Sequence, residues 1–351
     1  MHMADALLSP AVAVAMYAAS GVAAGISVSK LRKDDNPQKL PTMAVTAALV
    51  FAGQMINYTI PGTGSSGHMC GGMLLSALLG PQAGFLSMIV ILAIQCLFFA
   101  DGGLMALGAN IWNMAFYGCF VGYYLIWRPI VTGGWFSGMG EKAGQRARII
   151  CASILGCVIT LQLGAFSVVL ETSLSGITEL PFRAFVALMQ PIHLAIGLIE
   201  GVVTAAVLVF VYESRPELLR DVDASMAPAR HSLKTTIVIL AVVAALVGGG
   251  LSLLASSNPD GLEWALFGNA EAGYSANMGL DEEKFGVESG LADAAGSVQE
   301  ATSFLPDYAF PGSESAAGTT VSGLVGSAMV AGVAVLICMA GGFFRRRRPT
   351  R

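Results

Sequence analysis

The stretch MCGGMLLSALLG, residues 69–80, decides how this chain is threaded. It is apolar throughout but has only 12 residues, well short of the ~20 that an α-helix needs to cross a hydrocarbon core. A helix that short at membrane depth must be enclosed by protein. Whether it crosses is decided by the charges on either side of it.

Longer apolar segments surround it, running roughly over 10–29, 41–60, 83–100, 103–127, 147–170, 183–212, 235–255 and 320–344. Charged residues make up 12% of the chain, about half the ~25% of a typical soluble protein. That content cannot cover a soluble surface. It excludes a cytosolic enzyme, a nucleic-acid binder and a disulfide-stapled secreted domain. The six cysteines lie in or beside apolar segments without CxxC spacing, and read as small hydrophobes in helices.

The 19 Lys and Arg fall, except Arg183 and Lys284, into four groups. These are Lys30, Arg32, Lys33 and Lys39; Arg128, Lys142, Arg146 and Arg148; Arg215, Arg220, Arg230 and Lys234; and Arg345 to Arg348 with Arg351. Basic loops stay in the cytoplasm, so segment 10–29 starts outside and 41–60 returns there. An odd number of crossings must then precede Arg128. Segments 83–100 and 103–127 supply two, so 69–80 is the third, turning at Gly80-Pro81. The expectation is an all-α polytopic membrane bundle with an extracytoplasmic N-terminus. Seven helices fill 1–213, a polar cytoplasmic linker covers 214–234, and two more helices in 235–351 flank an acidic outer loop, 256–319. The composition of that loop predicts weak or conditional folding. No basic residue precedes the first apolar run, so no cleavable leader is expected and Met1 stays the terminus.

Two of the four histidines, His2 and His68, then share the outer side. An unprocessed His at position 2 joins a backbone amide nitrogen and a ring Nδ1 to the α-amine of Met1. Metal bound to all three closes fused five- and six-membered rings, which favour a plane. A fourth nitrogen from His68 completes a square that suits Ni(II) or Cu(II), with Co(II) also accommodated; the alternative is an exposed terminal residue. The loop PGTGSSGH (61–68) matches GxGxxG literally but follows a membrane helix, not a strand, so it reads as a tight turn presenting His68.

Four stretches resemble the CbiM/NikM family: MHMADALLSP at the start, QMINYTIPGTGSSGHMCGGMLLSALLGP (54–81), FFADGGLMALGANIWNMAF (98–116) and HLAIGLIEG (193–201). These proteins are the substrate-capture components of energy-coupling-factor transporters for cobalt and nickel. NPDGLEWAL (258–266) resembles the PDGLE signature of the CbiN/NikN-type accessory subunit. The resemblance implies a capture subunit fused to its accessory subunit in a bacterial or archaeal plasma membrane. It implies a metal site on Met1, His2 and His68, with Ni(II) or Co(II) as transported ion and no cofactor. The implied partners are a coupling transmembrane subunit and ATPase subunits, with surrounding lipid and no nucleic acid. No GxxxxGK[ST] occurs in the chain, so P-loop hydrolysis lies elsewhere.

Gln54, Asn57, Asn110 and Asn113 are candidates either for supporting the folded-in N-terminus or for ordinary interhelical bonds. Asp5 and Asp101 are candidates for orienting His2 or His68 and drawing in a cation. His193 and Glu200, at i and i+7, are an intramembrane pair open to proton relay or structural pairing. A relay would suit the alternative reading, a proton-coupled secondary transporter of divalent metal. Ala44, Ala48 and Ala52 form a small-residue stripe. It suits either internal packing or, as the resemblance implies, contact with the coupling subunit.

Overall fold

The computed structural model describes residues 1–31, 39–176, 181–226, 229–273, 286–312 and 315–346. Arg32, Lys33, Lys284 and the basic residues from 347 onward lie outside them. Helices dominate: α1 (Pro10–Leu31), α2 (Lys39–Gln54), α3 (Gly72–Leu79) and α4 (Pro81–Phe99). Next comes α5, a continuous rod of Leu107–Asn110, Ile111–Trp127 and Arg128–Thr132 whose middle is wound as a π-helix. After it run α6 (Glu141–Leu174), α7 (Phe182–Ser214) and α8 (Leu233–Gly249). The last three are α9 (Gly261–Phe267), α10 (Gly290–Thr302) and α11 (Ala316–Arg346). Six helical stretches are long and apolar enough to cross a membrane: Pro10–Leu31, Pro81–Phe99, Glu141–Leu174, Phe182–Ser214, Leu233–Leu254 and Ala317–Ile337. The chain is thus a multi-pass helical membrane protein.

The short apolar stretch does form a helix, Gly72–Leu79. Every residue of α3 is buried, against α4, α5 and α7, so its missing length is covered by protein and not by lipid. By contrast α1 leaves Val14, Val22 and Ile26 more than half exposed, an apolar surface that suits hydrocarbon. Basic residues gather at one end, where Arg146 and Arg230 pair with Glu213, and Arg128 with Asp221. There the Arg220 N–H donates to the Ala77 carbonyl at 2.8 Å, closing the end of α3.

One expectation needs revision and two are narrowed. The segment read as 41–60 stops being helical at Gln54, and Tyr58–Ile60 pairs antiparallel with Ser65–Gly67 in a small hairpin. The β-branched and aromatic residues of YTI favour that strand, and the Gly-rich turn between allows the reversal. The stripe on α2 is covered by the C-terminal helices. The Ser327 hydroxyl donates to the Ala48 carbonyl at 3.4 Å, and a Cβ at Gly248 would stand 3.3 Å from that of Ala52. Finally, the described part of loop 256–319 is folded onto the bundle. Gln299 Nε2 donates to the Cys96 and Gly102 carbonyls at 2.9 and 2.7 Å, and Thr302 Oγ1 to Leu97 at 2.7 Å. The bonds to Cys96 and Leu97 satisfy carbonyls in the last turn of α4 that lack helical partners. A composition too polar to fold alone is ordered here by a partner on the same chain.

Candidate metal site

Opposite the basic end, the N-terminal arm folds into the mouth of the bundle. Met3 and Leu8 are fully buried, and Met1 is 5% exposed. Asn110 holds the arm with both ends of its amide: Met3 N–H donates to Oδ1 at 2.7 Å and Nδ2 donates to the Met3 carbonyl at 3.1 Å. Gly103 N–H donates to that same carbonyl at 2.9 Å. Space comes from Gly102 and Gly103. A Cβ on Gly102, whose φ is +77°, would stand 3.1 Å from His2 Cβ, and one on Gly103 would overlap the Asp5 carboxylate. The DGG run after α4 therefore marks where the arm must pass.

The hairpin delivers His68 to the arm. Tyr58 OH donates to the Ile196 carbonyl at 3.1 Å on one side of the loop. On the other side Glu200 accepts the N–H groups of Cys70 and Gly71 at 2.7 and 2.9 Å. His68 Nε2 then lies 3.5 Å from the Met1 amine, and the His2 and His68 rings stack with centroids 5.2 Å apart.

Hydrogen-bond direction determines which ring nitrogens hold lone pairs. His68 Nδ1 lies 3.1 Å from the Met69 carbonyl; a carbonyl only accepts, so Nδ1 carries the proton and Nε2 is free toward the amine. For His2 the anchor is more distant. The Cys70 carbonyl accepts from Gln54 Nε2 at 2.7 Å, Gln54 Oε1 accepts from Gln95 Nε2 at 2.9 Å, and Gln95 Oε1 lies 3.3 Å from His2 Nε2. A proton on Nε2 satisfies that chain, whereas one on Nδ1 would satisfy the carboxylate that faces the other side of the ring, so a neutral ring serves only one of the two acceptors at a time. Nδ1 faces Asp101 Oδ1 at 3.1 Å, so Asp101 draws the proton to Nδ1 and Gln95 draws it to Nε2, and only the second form leaves a lone pair on Nδ1. Among the described residues no three His, Cys, Asp or Glu side chains are grouped to hold a metal. A site here must draw on the terminal amine and main-chain nitrogen.

Electrostatics suit a cation. Burial lowers the His68 pKa to about 3, helped by the charged terminus. Burial also lowers that of His2, with Asp101 opposing. Burial alone would lower the Met1 amine too, but Asp260 at 2.6 Å reverses the sign and raises it. The amine in turn holds the Asp260 carboxyl well below the usual range, against its own burial.

Of the remaining candidates, Gln54 and Asn110 make the hydrogen bonds to the loop and the arm described above. Asp5 touches neither ring; its Oδ1 accepts from Ala106 N–H at 2.9 Å at the start of α5. Asn57 offers its backbone carbonyl to Ser256 N–H at 2.7 Å. Asn113 donates to Glu171 at 2.7 Å and reaches the arm only through the Met3 sulfur at 3.6 Å. His193 Nδ1 donates to the Met189 carbonyl at 2.8 Å and no hydrogen bond joins it to Glu200, whose carboxylate holds the loop. His193 instead lines a water-sized cavity with Met1, His68 and Asp260, and its Nε2 has no hydrogen-bond partner among the described residues.

Sequence reasoning missed Gln95 and Asp260. Gln95 is one polar residue in an apolar helix, a signal worth reading. Asp260 lies in the PDGLE motif, which carries a resemblance but no visible chemistry until its contacts are seen.

Known proteins agree with this architecture. Residues 2–218 match the cobalt uptake substrate-specific transmembrane region family, CbiM, and residues 234–341 match the PDGLE domain. A putative fused nickel transport protein NikMN of Archaeoglobus fulgidus is 34% identical over 94% of this chain and 95% of its own length. The fused nickel transport protein NikMN of Rhodobacter capsulatus is 33% identical over the same shares, 94% and 95%. A crystal structure of a truncated transition metal transporter superposes with a TM-score of 0.51 at 30% identity, covering 61% of this chain and 99% of that one. This chain belongs to the CbiM family of nickel and cobalt transport proteins, joined to a PDGLE domain.

Proposed function

We propose that this chain is the substrate-specific component of an energy-coupling-factor importer, capturing Ni(II) or Co(II) at its outer face. The observation that carries the reading is the buried terminal amine 3.5 Å from His68 Nε2, with the His2 ring stacked on that of His68. An aqueous ion exchanges its waters for the Met1 amine, the His2 amide nitrogen and Nδ1, and His68 Nε2, the amine and the amide each releasing a proton to solvent. Such a nitrogen plane is met well by Ni(II) and tolerated by Co(II). The loaded bundle then engages a coupling membrane subunit, and ATP hydrolysis on separate subunits reorients it to release the ion inward. The outer loop of the accessory half assists loading.

The test is covalent. One residue added before Met1 moves the amine out of the chelate, and binding of nickel and cobalt by calorimetry is expected to fall by more than the ~100-fold typical of losing an outer-shell partner. Unchanged affinity in a folded, extended protein sinks the amine site. Vesicles holding this chain alone should show no gradient-driven uptake; robust uptake driven by a proton gradient would instead establish a secondary transporter.

A further inference from the structure

We propose that Asp260, contributed by the accessory half, positions the Met1 amine, so that the metal site is completed across the two fused halves. The proposal rests on the amine-based capture described above.

The contacts of the PDGLE segment give each of its first residues a task. The Pro259 carbonyl accepts from Ser66 N–H at 2.8 Å, and Ser66 Oγ donates to the Asn258 carbonyl at 2.7 Å. The segment is thereby fastened to the strand that leads into His68. Asn269 Nδ2 donates to the Gly64 carbonyl at 2.8 Å, a second tie to the same hairpin. Gly261 has no room for a side chain: a Cβ there would stand 2.7 Å from Ile192 Cγ2 and 3.2 Å from His193 Cε1. Leu262, Ala265 and Leu266 are buried, seating α9 against α7.

Between these fixed points lies Asp260, whose two oxygens do different work. Oδ1 caps α9, accepting from Leu262 and Glu263 N–H at 2.8 and 2.9 Å. Oδ2 accepts from the Met1 amine at 2.6 Å. The cap fixes the carboxylate orientation, and the carboxylate fixes the amine. A protonated amine has three N–H groups, and a metal-bound amine keeps two. The bond to Oδ2 therefore survives metal binding, aiming the nitrogen lone pair into the site as a carboxylate aims a metal-bound imidazole. It also places a negative charge beside an incoming dication.

Asp260→Asn and Asp260→Ser test this, since both side chains preserve the helix cap and neither presents a carboxylate to the amine. The full chain in detergent is titrated with Ni²⁺, and acylation of the Met1 amine by an amine-reactive ester is followed by mass spectrometry with and without Ni²⁺. Both variants are expected to bind Ni²⁺ about 10–100-fold more weakly. Their metal-free amines should be acylated several-fold faster than the wild-type amine, a readout that a purely structural role of the cap would leave unmoved. If Ni²⁺ protects the wild-type amine while the variants match wild type in affinity and acylation, Asp260 has no positioning role. If Ni²⁺ fails to protect the wild-type amine, the amine is not a ligand, and both the capture site and this proposal fall.

Discussion

Gln95→Met separates the tautomer argument from mere proximity. Gln95 is 1% exposed in α4 and joins Gln54 to His2. Methionine fills similar volume but neither donates nor accepts strongly, so Gln54 Oε1 and His2 Nε2–H both lose their partner. Each buried group left unpaired costs about 1–3 kcal/mol, so the metal-free protein should lose roughly 2–6 kcal/mol of stability. Without Gln95 the acceptor that remains at the ring is Asp101, which holds the His2 proton on Nδ1, and Ni²⁺ affinity should fall about 10–100-fold. Gln95→Glu is the control: it still accepts from Nε2–H but cannot donate to Gln54, so stability falls while affinity stays within about tenfold of wild type. Thermal unfolding of the metal-free proteins and calorimetric titration with Ni²⁺ read the two quantities separately. If Gln95→Met binds Ni²⁺ as tightly as wild type, the hydrogen-bond chain does not prepare His2 for chelation.

Two further outcomes follow from the geometry. Metal affinity should rise with pH across the neutral range, because the Met1 amine, its pKa raised by Asp260, and the His2 amide must each give up a proton to bind. His68, lowered to about 3, is already neutral there and contributes no slope; titrations at several pH values that return a flat profile would exclude the amine. Asn110→Ala removes both side-chain bonds to Met3 and should cost about 1–3 kcal/mol while freeing the arm. Faster proteolysis of residues 1–9 checks it, and an unchanged rate would mean that burial of Met3 and Leu8 holds the arm without Asn110.

Much of the chain's organisation was legible from pattern. Apolar length and basic clusters located the spans, and parity made 69–80 a helix because membrane insertion obeys one-dimensional rules of length and charge. The pairing of Met1, His2 and His68 was legible for the same reason: parity put them on one side, and the chemistry of a terminal chelate needs only sequence adjacency. The hairpin at 58–67 was not, since its apolar residues read as the end of a span when only hydropathy is counted. The folding of 256–319 was not either, because composition reports whether a segment can bury itself and says nothing of a surface offered elsewhere in the chain.

By itself the sequence determined the fold class and pointed to an order of crossings and to Met1, His2 and His68 as candidate ligands, all of which depend on local periodicity, charge and covalent neighbours. Only the tertiary structure showed which acceptors face the nitrogens of each histidine, some as distant in sequence as Gln95 from His2. Only it showed that Asp260, 259 residues from Met1, holds the terminal amine. Hydrogen bonds of that range leave no periodic trace in a sequence, because they are made by packing and not by spacing.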